Sequence, residues 1–310
     1  MRLKILFIGG TVRGLRLLEM LKSHGEDIVY AYIMKEDRHE TVKSSIAIKK
    51  LCKKHAIPNV ICRKIKHADS RELLSLKPDV AFVCGWRTII PPIIYKSIKY
   101  GCLAAHDSLL PKYRGFAPLN WAIISGDKKT GVTLFRIMDG TVDSGDIFSQ
   151  KKVKIAANDT ASDVYPRIIE ATLSLFSEFI ITQKKGALRW RSQNEDSATY
   201  ACKRMPSDGE INWNRPAKEI FNLIRALSPP YPCAWTRYNG KKIYIAGASL
   251  PQKTLKFVGN IPGRVVSAMG GEILVLCGIG QIIVNKIKVS SGAYKQPGTF
   301  FSSIRVTFGK

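Results

Sequence analysis

The feature that most constrains this chain is the alternation in its first half. LKILFIG (3–9), IVYAYIM (28–34), NVICRKI (59–65), DVAFVCG (79–85) and GCLAAHDS (101–108) are short, nearly unbroken apolar runs. Continuous apolar runs of this length read as strands buried on both faces. Between them, LRLLEMLKSHG (15–25) and SSIAIKKLCKKHAIP (44–58) carry helical spacing and stop at Gly25 and before Pro58, and SRELLSLKP (70–78) reads as a shorter helix. Buried strands alternating with helices predict an α/β architecture, a Rossmann-like doubly wound and mostly parallel sheet.

The pattern changes further on. GVTLFRI (131–137) and GDIFSQKKVKI (145–155) read as two strands around an aspartate-rich loop. DTASDVYPRIIEATLSLFSEFIITQKKG (159–186) reads as a long helix capped by Thr or Asp, with Pro166 near its first turn. Residues 186–214 are polar and aperiodic. PAKEIFNLIRALSP (216–229) is an amphipathic helix, and from Cys233 short strands alternate with turn signals, the signature of a small antiparallel OB-like β-barrel. The expected organisation is therefore a catalytic domain over 1–190, a linker over 191–214 and a smaller C-terminal domain over 215–310.

No apolar run approaches the ~20 residues that span a bilayer, and the first residues read as strand and turn, so a cytoplasmic protein with no membrane partner is expected. Seven dispersed cysteines without C-x-x-C spacing read as reduced thiols, with neither disulfides nor a metal. The net charge of +25 is open to two readings, a polyanionic partner or a generally basic surface. Gly9, Gly10 and Gly14 do not fit G-x-G-x-x-G. Tight strand-to-helix packing accounts for them without a nicotinamide cofactor.

His106 lies at the carboxyl end of its strand, where open α/β sheets bind ligands. A Ser/His/Asp triad from its neighbours fails, because consecutive residues of an extended chain point in alternating directions. An EF-hand reading of DGTVDSGD fails because its glycine and its last acidic ligand are misplaced.

HDSLLPKYRGFAPLNWAIISGDKKTGVTLF followed by VDSGDI resembles the 10-formyltetrahydrofolate-dependent formyltransferases, and TYACKRMPSDGEINWNRPAKEIFNLIRALSPPYPCAW resembles the start of their C-terminal domain. The resemblance implies the formyltransferase fold and transfer of a formyl group from 10-formyltetrahydrofolate, a cosubstrate, to a primary amine. It implies that His106 shuttles a proton and stabilises the oxyanion, with Asp143 raising its pKa. The loop is one residue longer than the family pattern, so Asp139 is the fallback. The family asparagine falls on Ala104, which donates nothing, and losing one such donor typically costs ~10²–10³ in rate. A substitute donor (the Ser108 hydroxyl or a backbone N–H), a slower enzyme, or a folate- or RNA-binding homologue without turnover are the three ways to read that alanine.

By the same resemblance the folate pocket falls on Gly85, Trp86, Arg87, Thr88, Ile89 and Ile90, on Ser108, Leu109, Leu110 and Pro111, and on Asp139, Gly140, Thr141, Val142 and Asp143. Trp86 is equally readable as core. Arg114, Gly115 and Phe116 are expected at the amine substrate, with a structural salt bridge as the other reading of Arg114. The segment KEDRHETVKSSIAIKK (35–50) lacks the glycine-rich basic insertion of the tRNA enzymes, and PKYRGFAPLNW is closer to the sugar N-formyltransferases, such as the aminoarabinose enzyme. A nucleotide sugar is thus the expected acceptor and Met-tRNA the alternative. A homodimer is compatible with either.

Overall fold

The computed structural model describes residues 2–37, 40, 42–66, 73, 75–289, 292–301 and 303–309. Residues 70–72 and 74 of the helix expected over 70–78 lie outside them. The described chain divides into two compact units.

The first unit is built on a seven-stranded sheet. In chain order its strands are β1 (Lys4–Gly9), β2 (Asp27–Met34), β3 (Asn59–Cys62), β4 (Val80–Cys84), β5 (Cys102–His106), β7 (Lys129–Arg136) and β8 (Ile147–Lys154), while β6 (Arg114–Gly115) lies off it. The spatial order is β3-β2-β1-β4-β5-β7-β8. Pairing is parallel from β3 through to β5, and β7 runs antiparallel to β5. The chain winds outward from β1 to β3, then returns to lay β4 on the other side of β1. The carboxyl ends of β1 and β4 therefore flank the topological switch point, the place where such sheets open a crevice.

Both faces are covered, as the unbroken apolar runs require. Leu6, Ile8, Ala81 and Val83 pack with Ile90, Ile94 and Ile98 around helix α3 (Pro92–Ser97); it follows α1 (Thr11–Ser23) and α2 (Ser44–Lys54) in the chain. On the opposite face Phe82 meets Phe176 and Phe179, ring centroids 4.7 and 5.8 Å away. After α4 (Pro118–Ile124), those two phenylalanines belong to α5 (Ala161–Lys184), where Thr160 and Asp163 cap each other reciprocally. A Cβ on Gly9 would stand 2.9 Å from the Cys84 carbonyl and one on Gly14 3.1 Å from it, so these glycines let α1 approach β4 closely.

Residues 191–201 belong to the first unit. Arg191 bridges Ile147, and β9 (Tyr200–Ala201) pairs in parallel with β6. Residues 202–214 belong to the second unit. That unit carries α6 (Ala217–Ala226) and six antiparallel strands, β10 (Ala234–Tyr238), β11 (Lys241–Ser249), β12 (Val265–Met269), β13 (Glu272–Leu276), β14 (Gln281–Val289) and β15 (Tyr294–Lys295). Asn239 and Gly240, both at positive φ, make the tight β10–β11 turn that NG signals in a sequence. The barrel-like sheet closes on a core that includes Ile220, Ile224, Val275 and Phe301, with Trp213 stacked on Phe308 at 5.6 Å.

Candidate active site

His106 is the last residue of β5 and is buried, with 8% of its surface exposed. Its Nε2 lies 2.8 Å from the Tyr113 carbonyl oxygen and its Nδ1 lies 3.6 Å from Asp143 Oδ2. A carbonyl oxygen only accepts, so Nε2 carries a proton and the neutral ring presents its lone pair on Nδ1. The same Asp143 oxygen accepts the Gly115 N–H at 2.8 Å, which fixes the carboxylate beside the ring.

Of the two candidate carboxylates, geometry brings Asp143 to the histidine. Asp139 is on the surface, held by the Tyr95 hydroxyl at 2.6 Å and by Lys96. The direction of the histidine's titration differs from expectation. Burial holds its pKa below the ordinary value; Asp143 and the Tyr113 carbonyl push upward, Arg13 pushes down again, and burial prevails. Asp143 thus raises the value only relative to what burial alone would impose, and the resting ring is neutral.

Gly145 explains the spacing in VDSGD. A Cβ there would sit 1.8 Å from the Arg136 carbonyl oxygen, so only glycine lets the loop fold back onto the end of β7. Gln193 then ties the loop down, its amide donating to the carbonyls of Asp143 (2.7 Å) and Gly145 (2.8 Å).

Arg114 is not free to meet a substrate. It is fully buried, it makes a two-armed pair with Glu195 at 2.6 and 2.7 Å, and it donates to Gln193 Oε1 at 2.8 and 3.1 Å. Its place is behind the Asp143 loop, acting through Gln193. Neither Gln193 nor Glu195 stood out in the sequence, because they lie in the aperiodic stretch after the long helix. Gly115 is engaged with Asp143, and Phe116 is exposed.

Ser108 cannot replace the missing amide. Its side chain is fully buried and its hydroxyl donates to the Lys112 carbonyl at 2.5 Å. Ala104 instead packs against Leu110, Phe135 and Ile147. Leu109 and Pro111 are half-buried. Arg87 is occupied by Asp37 (3.2 Å), Glu40 (2.9 Å) and the Lys35 carbonyl (3.2 Å), and Thr88 donates to the Arg63 carbonyl. Ile89 is 85% exposed and Ile90 is core. Trp86 packs half-buried beside the Ile90 cluster, and its buried indole N–H has no hydrogen-bond partner among the described residues. Gly140, at positive φ, Thr141 and Val142 form an exposed turn.

Sequence reasoning missed Arg13. It enters from the first turn of α1, 7% exposed, and pairs with Asp107, the residue after the histidine. Its position just past the carboxyl end of β1 was the available signal. Among the described residues no group of His, Cys, Asp or Glu could hold a metal ion, and no helix is long and apolar enough to cross a membrane.

Comparison with known proteins bears on what such a site does. Residues 3–180 match the family model Formyl transferase, and residues 203–305 match Formyl transferase, C-terminal domain. The chain is 37% identical over 235 residues to the bifunctional polymyxin resistance protein ArnA of Wigglesworthia glossinidia brevipalpis, covering 75% of this chain and only 36% of that protein. It is 32% identical to the methionyl-tRNA formyltransferase of Caldanaerobacter subterraneus subsp. tengcongensis, over 92% of each. The N-formyltransferase from Helicobacter canadensis, solved with folinic acid and dTDP-3-aminofucose, superposes with a TM-score of 0.68 at 22% identity, covering 91% of this chain and 98% of that one. HypX from Aquifex aeolicus, solved with tetrahydrofolic acid, gives 0.66 at 17% identity over 95% of this chain and 45% of its own.

Proposed function

The chain belongs to the formyl transferase family and uses 10-formyltetrahydrofolate as cosubstrate; on that premise we propose that its acceptor is the primary amine of a nucleotide-activated amino sugar, with His106 and Asp143 as the proton-handling pair. The observation that carries the reading is the Asp143–His106 pairing at the carboxyl edge of the sheet. The cosubstrate supplies an electrophilic formyl carbon. The unpartnered Trp86 indole N–H offers a donor to its heterocycle, and Ala104 with Leu110 an apolar wall.

The residues of the chain divide the remaining work. Burial keeps His106 neutral, so it is ready to take the proton that the attacking amine sheds. Nε2 stays anchored on the Tyr113 carbonyl while Nδ1 receives that proton, and the imidazolium so formed faces the Asp143 carboxylate. Arg114 and Gln193 hold the loop that carries the carboxylate.

The sugar acceptor is supported by the dTDP-3-aminofucose complex of the Helicobacter canadensis enzyme and by the likeness of PKYRGFAPLNW to the sugar N-formyltransferases. Met-tRNA is the second reading, supported by the net charge of +25 and by methionyl-tRNA formyltransferase relatives matched over more than nine-tenths of this chain. Purified protein is incubated with 10-formyltetrahydrofolate and either dTDP- and UDP-linked 4-amino sugars or charged initiator tRNA, and products are read by mass. Formylated sugar is expected. Formylated tRNA with untouched sugar reverses the assignment, and tight folate binding with neither product makes the chain a binding homologue.

A further inference from the structure

The polar arm that follows the long helix is fastened to the chain at two places, and each holds a group that touches the histidine. At the first, Arg191 exchanges both backbone hydrogen bonds with Ile147, at 2.8 and 2.9 Å, and the Ser192 hydroxyl donates to Asp146 Oδ1 at 2.9 Å. Gln193 donates to the Asp143 and Gly145 carbonyls. At the second, Thr199 binds the segment that leads into β6. Its N–H donates to the Pro111 carbonyl at 3.1 Å, its hydroxyl oxygen accepts the Tyr113 N–H at 2.8 Å, and its carbonyl accepts the Arg114 N–H at 2.8 Å.

These fastenings serve the two nitrogens of the ring. Tyr113 supplies the carbonyl 2.8 Å from Nε2, and Asp143 the carboxylate 3.6 Å from Nδ1. Both are non-glycine residues at positive φ, 58° and 57°, a conformation that persists only where the surroundings over-determine it. The arm binds the backbone of each. Arg114 joins the two places: its N–H is bound to Thr199, and its guanidinium donates twice to Gln193 Oε1, at 2.8 and 3.1 Å. A guanidinium only donates, so Gln193 must turn its oxygen to Arg114 and its NH2 to the loop. Its amide therefore has one orientation.

We propose that the arm from Arg191 to Ala201 is the positioning element of the active site: Gln193 sets Asp143 against Nδ1 of His106, and Thr199 sets Tyr113 against Nε2. The proposal rests on the formyl-transfer reading given above. Gln193 and Thr199 act through the residue that each holds, which makes them positioning residues. Loss of the Gln193 donors lets the carboxylate drift from Nδ1, and a misplacement of about 1 Å costs on the order of a hundredfold in rate. Loss of the Thr199 hydroxyl loosens the Nε2 anchor alone.

The test is a double-mutant cycle with Asp143→Asn, read in kcat, together with the imidazole titration of His106 by NMR in histidine-labelled protein, assigned with His106→Gln. Gln193→Met keeps the length of the side chain and removes its amide. Its kcat is expected to fall about tenfold to a hundredfold, with KM for the formyl donor within about twofold. In the Asp143→Asn background the same change is expected to alter kcat by less than about threefold, because the charge it positions is already gone. The histidine midpoint of Gln193→Met is expected to move down, as in Asp143→Asn, by about half a pH unit. Thr199→Val is expected to lower kcat about fivefold in both backgrounds. A Gln193→Met factor equal in both backgrounds marks a merely structural role and overturns the proposal, as does an unmoved midpoint in the folded variant; unchanged kcat in Thr199→Val overturns the part assigned to Thr199. Should Gln193→Met fail to fold, Gln193→Glu, which keeps an acceptor for Arg114 and loses the donors to the loop, carries the same cycle. The titration needs no turnover, so it tests the arm even if the formyl-transfer reading itself fails.

Discussion

Asp143→Asn is the perturbation that bears most directly on the mechanism. The change keeps the shape of the side chain and leaves its oxygen able to accept the Gly115 N–H, but removes the charge that faces Nδ1 of His106 at 3.6 Å. At that distance and an effective dielectric of about 20, the attraction between carboxylate and imidazolium amounts to roughly 4–5 kcal/mol. It acts only once the ring is protonated, so its loss falls on the proton-transfer step rather than on binding. The expected result is a fall in kcat of about three powers of ten with little change in KM for the formyl donor. The pH profile adds a sign. Asp143 raises the histidine's pKa against burial, so the variant's acid limb in kcat/KM should move to lower pH, even though the plateau is far lower. Single-turnover formyl transfer measured from acid to neutral pH reads both quantities. A variant within about threefold of wild type, or an acid limb displaced upward, would refute the pairing as the working element of the site.

Three further outcomes follow from the same geometry. Ala104→Asn places a donor two residues before His106 on the same face of β5, and kcat is expected to rise by roughly ten- to a hundredfold; a folded variant with unchanged kcat would show that this site does not lack that donor. Gly145→Ala forces a methyl group into the Arg136 carbonyl, so chemical denaturation should register a loss of more than about 2 kcal/mol, and equal stability would contradict the close approach. His106 has a folded-state pKa below its unfolded value, so the unfolded chain binds the proton first: stability should fall as pH drops below about 6.5 and level off below the folded pKa. His106→Asn should remove that segment of the pH dependence, and an identical profile in both proteins would count against a ring buried in its neutral form.

The architecture was legible because its signal is local. Strands buried on both faces declare themselves as unbroken apolar runs, and NG between two such runs marks a hairpin. The histidine's place at a strand end follows from the same run, since the strand closes where LAAH meets a polar residue. Choosing between Asp139 and Asp143 was beyond such reasoning. Both lie in one polar loop, and what separates them is the fold-back at Gly145 and the ties from Gln193, a residue 50 positions away in the chain. Arg114 was ambiguous for a related reason: an arginine in a binding motif and one buried against Glu195 and Gln193 have the same local sequence.

Position 104 shows most sharply where reading residue by residue gives out. Taken alone, alanine in place of an amide is a deficit, and the natural remedy is a donor nearby in the sequence, such as Ser108. That hydroxyl is committed to Lys112. The groups that do reach the ring are the Asp143 carboxylate and the Tyr113 carbonyl, while the buried charge contributed by α1, Arg13, is spent on Asp107. A buried guanidinium needs a carboxylate, and a carboxylate largely withdrawn from water needs a cation. Each of the two thus supplies the condition for the other. The relevant unit is the pair, which in this fold exists only after β1, β4 and β5 have been laid side by side.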